Sequence, residues 1–268
     1  MAIAATQNAE RLGLFRQEFL GATRALTVQS LFSDLRRVNR GEFIGEDSHR
    51  HLQGARVLID RSEGHAAWEL YRLDQDLYMV AADGVYDTQR IEVVPGEGLV
   101  EFHLRLSGTL EMTLPGRLSP LVATGPCLLI LHQRPGVDVS ERVVPGRRDT
   151  CVSLYCRQEY LAELVRQNSI SRWPLLEEIE ARRPEDSVLH KLLPLSAGLM
   201  YVAKSLLQSP FRGGIKLLHA EAKSLELLCE VLSGNESGAA DDAPVATDAE
   251  IRQLEAVRRM LEIGRAHV

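Results

Sequence analysis

The chain has no long hydrophobic run, no paired-cysteine motif and no surplus of positive charge. Its uninterrupted apolar stretches, residues 127–131 among them, are far short of the roughly 20 residues that cross a bilayer. The opening MAIAATQNAERLGLF has neither a cationic start nor a continuous apolar core, so no secretory leader is expected. The four cysteines are Cys127, Cys151, Cys156 and Cys229, without a CxxC pair that would suggest zinc. Cys151 and Cys156 lie an odd number of residues apart in a strand-like run, so they should point to opposite faces and not bridge. Reduced thiols in a cytoplasmic protein are expected. A net charge of −6 and a pI near 5.8 exclude a self-sufficient nucleic-acid binder, which would be basic. GxSxG, P-loop, GxGxxG and HExxH motifs are all missing, so catalysis and a catalytic cofactor are not expected.

What remains is a chain of 268 residues, 45% hydrophobic and 25% charged, ordinary for one large globular domain or two smaller ones. Residues 1–54 read as a helical or irregular region, with helical spacing at Leu12, Phe15, Phe19, Ala22 and Leu26. Arg36, Arg37 and Arg40 form a small basic cluster on what should be a solvated face. Residues 55–156 carry short β-like runs separated by turn pairs such as Ser107-Gly108, Pro115-Gly116 and Pro145-Gly146. That punctuation predicts a cupin-like antiparallel barrel. CLLIL, apolar on both faces, should be a central strand. Residues 157–232 read as four helical segments, giving the α+β order of a barrel followed by a helical subdomain for linkage or dimerisation.

The last of those segments, SPFRGGIKLLHAEAKSLELLCEVL, should be one long helix. At about 100° per residue, Lys216, His219, Lys223, Glu226 and Glu230 share a narrow polar arc and apolar residues fill nearly all the rest. Such a helix is expected to be gripped on several sides, by its own domain or by a second copy. Glu221 falls within the apolar arc. A structural buried carboxylate there needs a partner, with Arg157 and Arg166 among the candidates.

Ligand-binding candidates come from alternation at residues 100–106. Val100, Phe102, Leu104 and Leu106 face one way, and Glu101, His103 and Arg105 the other. The charged row either faces solvent or lines the barrel mouth, where His103 and Arg105 would suit an anionic or oxygen-rich ligand. A cupin metal site needs converging imidazoles and a carboxylate. His49-Arg50-His51 is the nearest approach, but no carboxylate follows at the required spacing, so no metal is expected. Arg147-Arg148-Asp149 and Arg182-Arg183 are explained by a turn and a helix end.

Three blocks carry a family likeness: VEFHLRLSGTLEMTLPG (100–116), SLYCRQEYLAELV (153–165), and LPLSAGLM with the long helix after it. Together they resemble the sensor half of AraC/XylS-type transcriptional regulators, nearest the siderophore-responsive subgroup, over about residues 87–261. The resemblance implies a cytoplasmic transcription factor with a small-molecule effector, siderophore-like in this subgroup, in the barrel. It also implies helix-turn-helix motifs C-terminal to the sensor. The long helix allows a homodimer, and the short apolar runs imply no membrane association. The alternative is a stand-alone cupin-like binding protein or metal-dependent enzyme. Residues 233–247, SGNESGAADDAPVAT, read as a flexible linker. Thr247 and Glu250 then offer a capping box for a helix spaced by Ile251, Leu254, Val257 and Leu261. Residues 248–268 would be the start of the DNA-binding domain. The tail EIGRAHV, 262–268, matches one frame of a sequencing-library adapter, so a truncated domain with a non-native end is expected.

Overall fold

The computed structural model describes residues 27–37, 41–59, 64–167, 173–183 and 186–234. Helix α1 (Val28–Phe32) and a 3-10 turn (Leu35–Arg37) precede the strands. These are β1 (Gly41–Asp47), β2 (Leu52–Leu58), β3 (Gly64–Arg72), β4 (Leu77–Tyr86), β5 (Arg90–Val94), β6 (Leu99–Ser107), β7 (Thr109–Thr113), β8 (Leu121–Thr124), β9 (Cys127–Gln133), β10 (Val139–Val143) and β11 (Arg148–Arg157). Helices α2 (Gln158–Gln167) and α3 (Pro174–Ala181) follow, then strand β12 (Val188–Pro194), and finally α4 (Ala197–Leu207) and α5 (Gly213–Gly234). Pro174 opens α3 where its missing N–H costs nothing, and Ser196 caps α4 by accepting from the Leu199 N–H at 3.2 Å.

All strand pairs are antiparallel. One sheet runs β1-β2-β3-β4-β11-β6-β9-β12 and a smaller one β5-β10-β7-β8. The fold class is α+β, as the order of textures predicted. Two boundaries need correction. The β layer starts at Gly41, inside the stretch read as helical or irregular, and β12 lies inside the stretch read as wholly helical. Ser233 and Gly234, read as linker, complete α5. The helical spacing before residue 27, the rest of the linker, the helix at 248–262 and the tail at 262–268 lie outside the described residues.

The central strands of the large sheet are packed on both faces. One face presents Tyr71, Met79, Phe102, Leu104, Ile130 and Leu154 to a helical layer that contributes Trp173, Leu199, Val202, Leu217 and Leu227. The other face meets Leu110, Met112 and Val139 of the small sheet, and Phe32 and Leu35 beside α1. Burying one such side chain stabilises by about 1.5–3 kcal/mol. The cysteines are all free; Cys156 lies under the helices while Cys151 faces the small sheet, as their odd spacing required.

Helix α5 is held along one stripe only: Leu217, Ala220, Ser224, Leu227, Leu228 and Val231. Gly54 makes this possible, since a Cβ there would stand 2.7 Å from Leu217 Cδ2. Its own domain grips this one side of the helix, and much of the rest of the apolar arc stays exposed. Ile215 is 62% exposed, and Leu218 and Leu225 are also exposed. Glu221 is partly rather than fully buried. It accepts from Arg50 Nη2 at 2.8 Å and 2.7 Å through its two oxygens. The partner therefore comes from the β1–β2 turn, and not from Arg157 or Arg166, which pair with Asp76 and Glu163. A pair this exposed contributes no more than about 1 kcal/mol.

Candidate functional site

The charged row of β6 does not face solvent. Glu101, His103 and Arg105 are all buried, and they point between the two sheets. The helices cover the apolar face, so the only place left for the charged face is the interior of the sandwich. Register places Arg105 opposite Cys151 and His103 opposite Ser153 on β11. The same face of β11 carries Asp149, Ser153 and Tyr155.

Arg105, 1% exposed, is the centre of the network. Its Nη1 donates to Asp149, and its Nη2 donates to His103 Nε2 at 3.1 Å. Since Nε2 accepts, the imidazole proton sits on Nδ1, 2.7 Å from Ser153 Oγ and 3.3 Å from Glu101 Oε1. Burial, with Arg105 alongside, lowers the His103 pKa against the opposing pull of Glu101, so the ring is neutral. Asp149 reaches Arg105 because the turn before β7 uses Gly108. At φ +86° a Cβ there would stand 2.4 Å from Asp149 Oδ1.

A second ion pair closes the other wall. Arg90 Nε donates to Glu92 Oε1 at 3.0 Å, and its guanidinium lies 4.0 Å from the centre of the Trp68 ring. Trp68 Nε1 in turn donates to Tyr86 Oη at 2.6 Å. These groups enclose a cavity of about 60 Å³ whose lining includes Arg90, Arg105, Glu92, Glu101, Glu141 and Asp149. Carboxylates outnumber guanidiniums, and both terminal nitrogens of Arg105 are engaged. Asp149 and Glu92 are likewise engaged, by Arg105 and Arg90, so the lining carries charges of both signs that already pair with each other. Sequence reasoning missed Asp149, Ser153, Arg90 and Glu92. Asp149 was legible only as the end of the basic run Arg147-Arg148-Asp149, although Asp149, Cys151, Ser153 and Tyr155 do alternate.

His49, Arg50 and His51 stand exposed at the β1–β2 connection, not on a strand. Among the described residues, no three His, Cys, Asp or Glu side chains are grouped to hold a metal. No helix among them is long and apolar enough to cross a membrane.

A second polar cluster closes the end of β9, where Arg182 Nη1 donates to the His132 carbonyl at 2.9 Å and Arg134 Nη2 to the Arg182 carbonyl at 2.8 Å. Burial, then Arg182 and Arg134, push the His132 pKa down to about 4, against a hydrogen bond to Gly98 and the charge of Glu159. The folded pKa thus lies below the ordinary imidazole value of 6.5, so the unfolded chain takes up the proton first. Stability should be full above pH 6.5 and fall as pH drops from there towards 4. Urea unfolding across that window should show a shallower loss for His132→Gln than for the wild type. Equal slopes would exclude His132 as the source.

The solved structures to which the chain is similar include two cupins and a third protein. A cupin superfamily protein from Desulfitobacterium hafniense is 10% identical, with TM-score 0.28 over 50% of this chain and 92% of that one. The Schizosaccharomyces pombe Cnp3 cupin domain is 10% identical, with TM-score 0.29 over 50% of this chain and 96% of that one. Clostridium difficile EutQ is 13% identical, with TM-score 0.27 over 38% and 81%. At such scores the likeness carries no argument about function. No curated protein matches the chain. A family model does: the N-terminal domain of the regulatory protein PchR matches residues 63–247, which take in β3 to β12 and helices α2 to α5 but not β1 and β2. That span takes in the charged interior and the helical layer, so by the larger part of its length the chain belongs to the PchR N-terminal regulatory domain family.

Proposed function

We propose that this chain is the sensor portion of a cytoplasmic, DNA-binding transcriptional regulator of AraC/XylS type, and that it has no catalytic role. The carrying observation is the buried charged network around Arg105. Burying two ion pairs is rarely worth more to stability than an apolar core of the same shape, which points to a ligand-reading role. The effector sits between the sheets and is small and polar, matching the charged wall. The siderophore-like effector implied by the resemblance exceeds a 60 Å³ space, since drug-sized ligands occupy about 300–1,000 Å³. It would enter only if the sheets part.

DNA reading would fall to helix-turn-helix motifs C-terminal to the described residues. The net charge of −6 supports this division, because phosphate contacts dominate affinity for DNA. At physiological salt the 268-residue chain should select no sequence from a random duplex pool. The reading frame extended with its helix-turn-helix domain should. In that longer protein, Glu101→Gln should alter the reporter response without changing basal DNA affinity. Sub-micromolar, sequence-selective binding by the 268-residue chain would overturn the division of labour.

Helix α5 favours a homodimer. Ile215, Leu218, Ala222, Leu225 and Cys229 are all exposed and alternate at spacings of three and four, the seam of a two-helix coiled coil. Leu218→Glu combined with Leu225→Glu should turn a sedimenting dimer into a folded monomer. A wild-type chain that is monomeric at high micromolar concentration would remove this reading.

A further inference from the structure

The helix-facing side of the large sheet is not covered everywhere. Helix α4 lies on β4, β6 and β11, whereas α5 lies on β1 and β2. Strand β3 runs between them, and at the open end of the helical pair a cleft of about 400 Å³ remains. Register builds its floor. Leu58 pairs with Ala67 and Ala67 with Asp83; in the next row, Arg56 pairs with Glu69 and Glu69 with Ala81. Further along the same face, Tyr71 and Met79 fill the space beneath the helices. Here the floor side chains are Ala67 and Ala81, and the cleft is the volume that larger residues would have taken. Leu207, at the end of α4, forms the wall, and His65 stands at the mouth.

The charges of this cleft are unequally committed. Glu69 accepts from Lys216 Nζ at 2.5 Å and from Tyr71 Oη at 2.8 Å. Asp83 accepts from Arg148 Nε at 2.8 Å, Arg148 Nη2 at 2.6 Å and Thr150 Oγ1 at 2.8 Å. Both carboxylates are thus occupied by partners outside the cleft. The Arg56 guanidinium is 3.9 Å from Glu69, 48% exposed, and makes no hydrogen bond among the described residues. Beside it Leu58 is 62% exposed. The space therefore offers one cation, held only by a long 3.9 Å ion pair to Glu69, beside an apolar floor and wall.

We propose that this cleft is a second small-molecule site, which takes an amphipathic anion. Its acid group, a carboxylate or sulfonate, meets Arg56, and its apolar body lies over Leu58, Ala67, Ala81 and Leu207. The volume falls in the ordinary range for small-molecule sites, unlike the interior cavity. The Glu69–Lys216 contact ties the cleft to the first turns of α5, so an occupant stands at the joint between sheet and long helix. Only this last consequence rests on the sensor reading; binding itself does not.

The test is a fluorescence titration of the full chain with anilinonaphthalene sulfonate, with the neutral phenylnaphthylamine as its uncharged counterpart. The sulfonate should saturate at one probe per chain and bind more tightly than the neutral dye. Arg56→Gln, a surface change that leaves the core intact, should weaken the sulfonate by about tenfold and leave the neutral dye unchanged, as expected for loss of a charge-assisted hydrogen bond. Ala67→Leu should weaken both dyes by filling the floor. Leu218→Glu, on the exposed seam of α5, should change neither. Wild-type sulfonate affinity in both cleft variants, equal binding of the two dyes, or loss of binding in Leu218→Glu would each overturn the proposal. None of these outcomes bears on the Glu101→Gln response or on DNA selection, so the sensor reading stands or falls separately.

Discussion

Asp149→Ala should destabilise the fold by about 3–5 kcal/mol, because it leaves Arg105 charged and unpaired between the sheets. Arg105 is 1% exposed and Asp149 3%. The guanidinium is buried between the sheets, and its remaining hydrogen bond is to a neutral imidazole. The double variant Arg105→Met, Asp149→Leu should recover most of the loss, since two apolar groups of similar volume need no partner. Urea unfolding of the two single variants and the double variant measures the coupling directly. A loss under about 1 kcal/mol for Asp149→Ala would mean that water reaches the pair, contrary to its burial. Recovery in the double variant, accompanied by loss of effector response, would separate the functional from the structural role of the pair.

Phe102→Ala tests the opposite face of the same strand and should cost about 3–5 kcal/mol. Phe102 is fully buried and its ring lies 5.9 Å from that of Trp173, beside α3. Truncation removes the aromatic contact and leaves a cavity between β6 and the helical layer. Trp173 reports it. In a Trp68→Phe background, its emission should shift to the red and its quenching by iodide should rise. Unchanged emission with full stability would show that the layer can collapse onto the smaller side chain. Phe102 pairs with Leu154, five positions along β11 from Asp149, so the two substitutions probe the two faces of one strand pair.

The sequence was legible where a strand or helix is held on two sides. The runs around β2, β3, β4, β6, β9 and β11 alternate or are apolar throughout, because each has a partner on both edges. The three strands that left no clear trace, β1, β8 and β12, are all edge strands of their sheets. An edge strand satisfies one hydrogen-bonding side only, and its residues are partly solvated, so its composition is less constrained. GEFIGED in β1 shows the effect: it has two glycines and three acids and no apolar period.

The residues alone determined the succession of a β layer and a helical layer, the α+β class, the opposed facing of Cys151 and Cys156, and the two-sided character of β6. Each follows from local periodicity, which the chain carries whatever it packs against. Tertiary structure alone decided which side of β6 became the interior. Alternation says that two faces differ, and the helical layer, by covering the apolar one, sent Glu101, His103 and Arg105 inward. It also decided the partners. Arg105 meets Asp149 and Arg50 meets Glu221 across long stretches of chain, where no spacing rule operates. The cleft over Ala67 and Ala81 exists for the same kind of reason. Two small residues leave a space only where α4 and α5 diverge above them, and that divergence is set by packing rather than by the residues beneath.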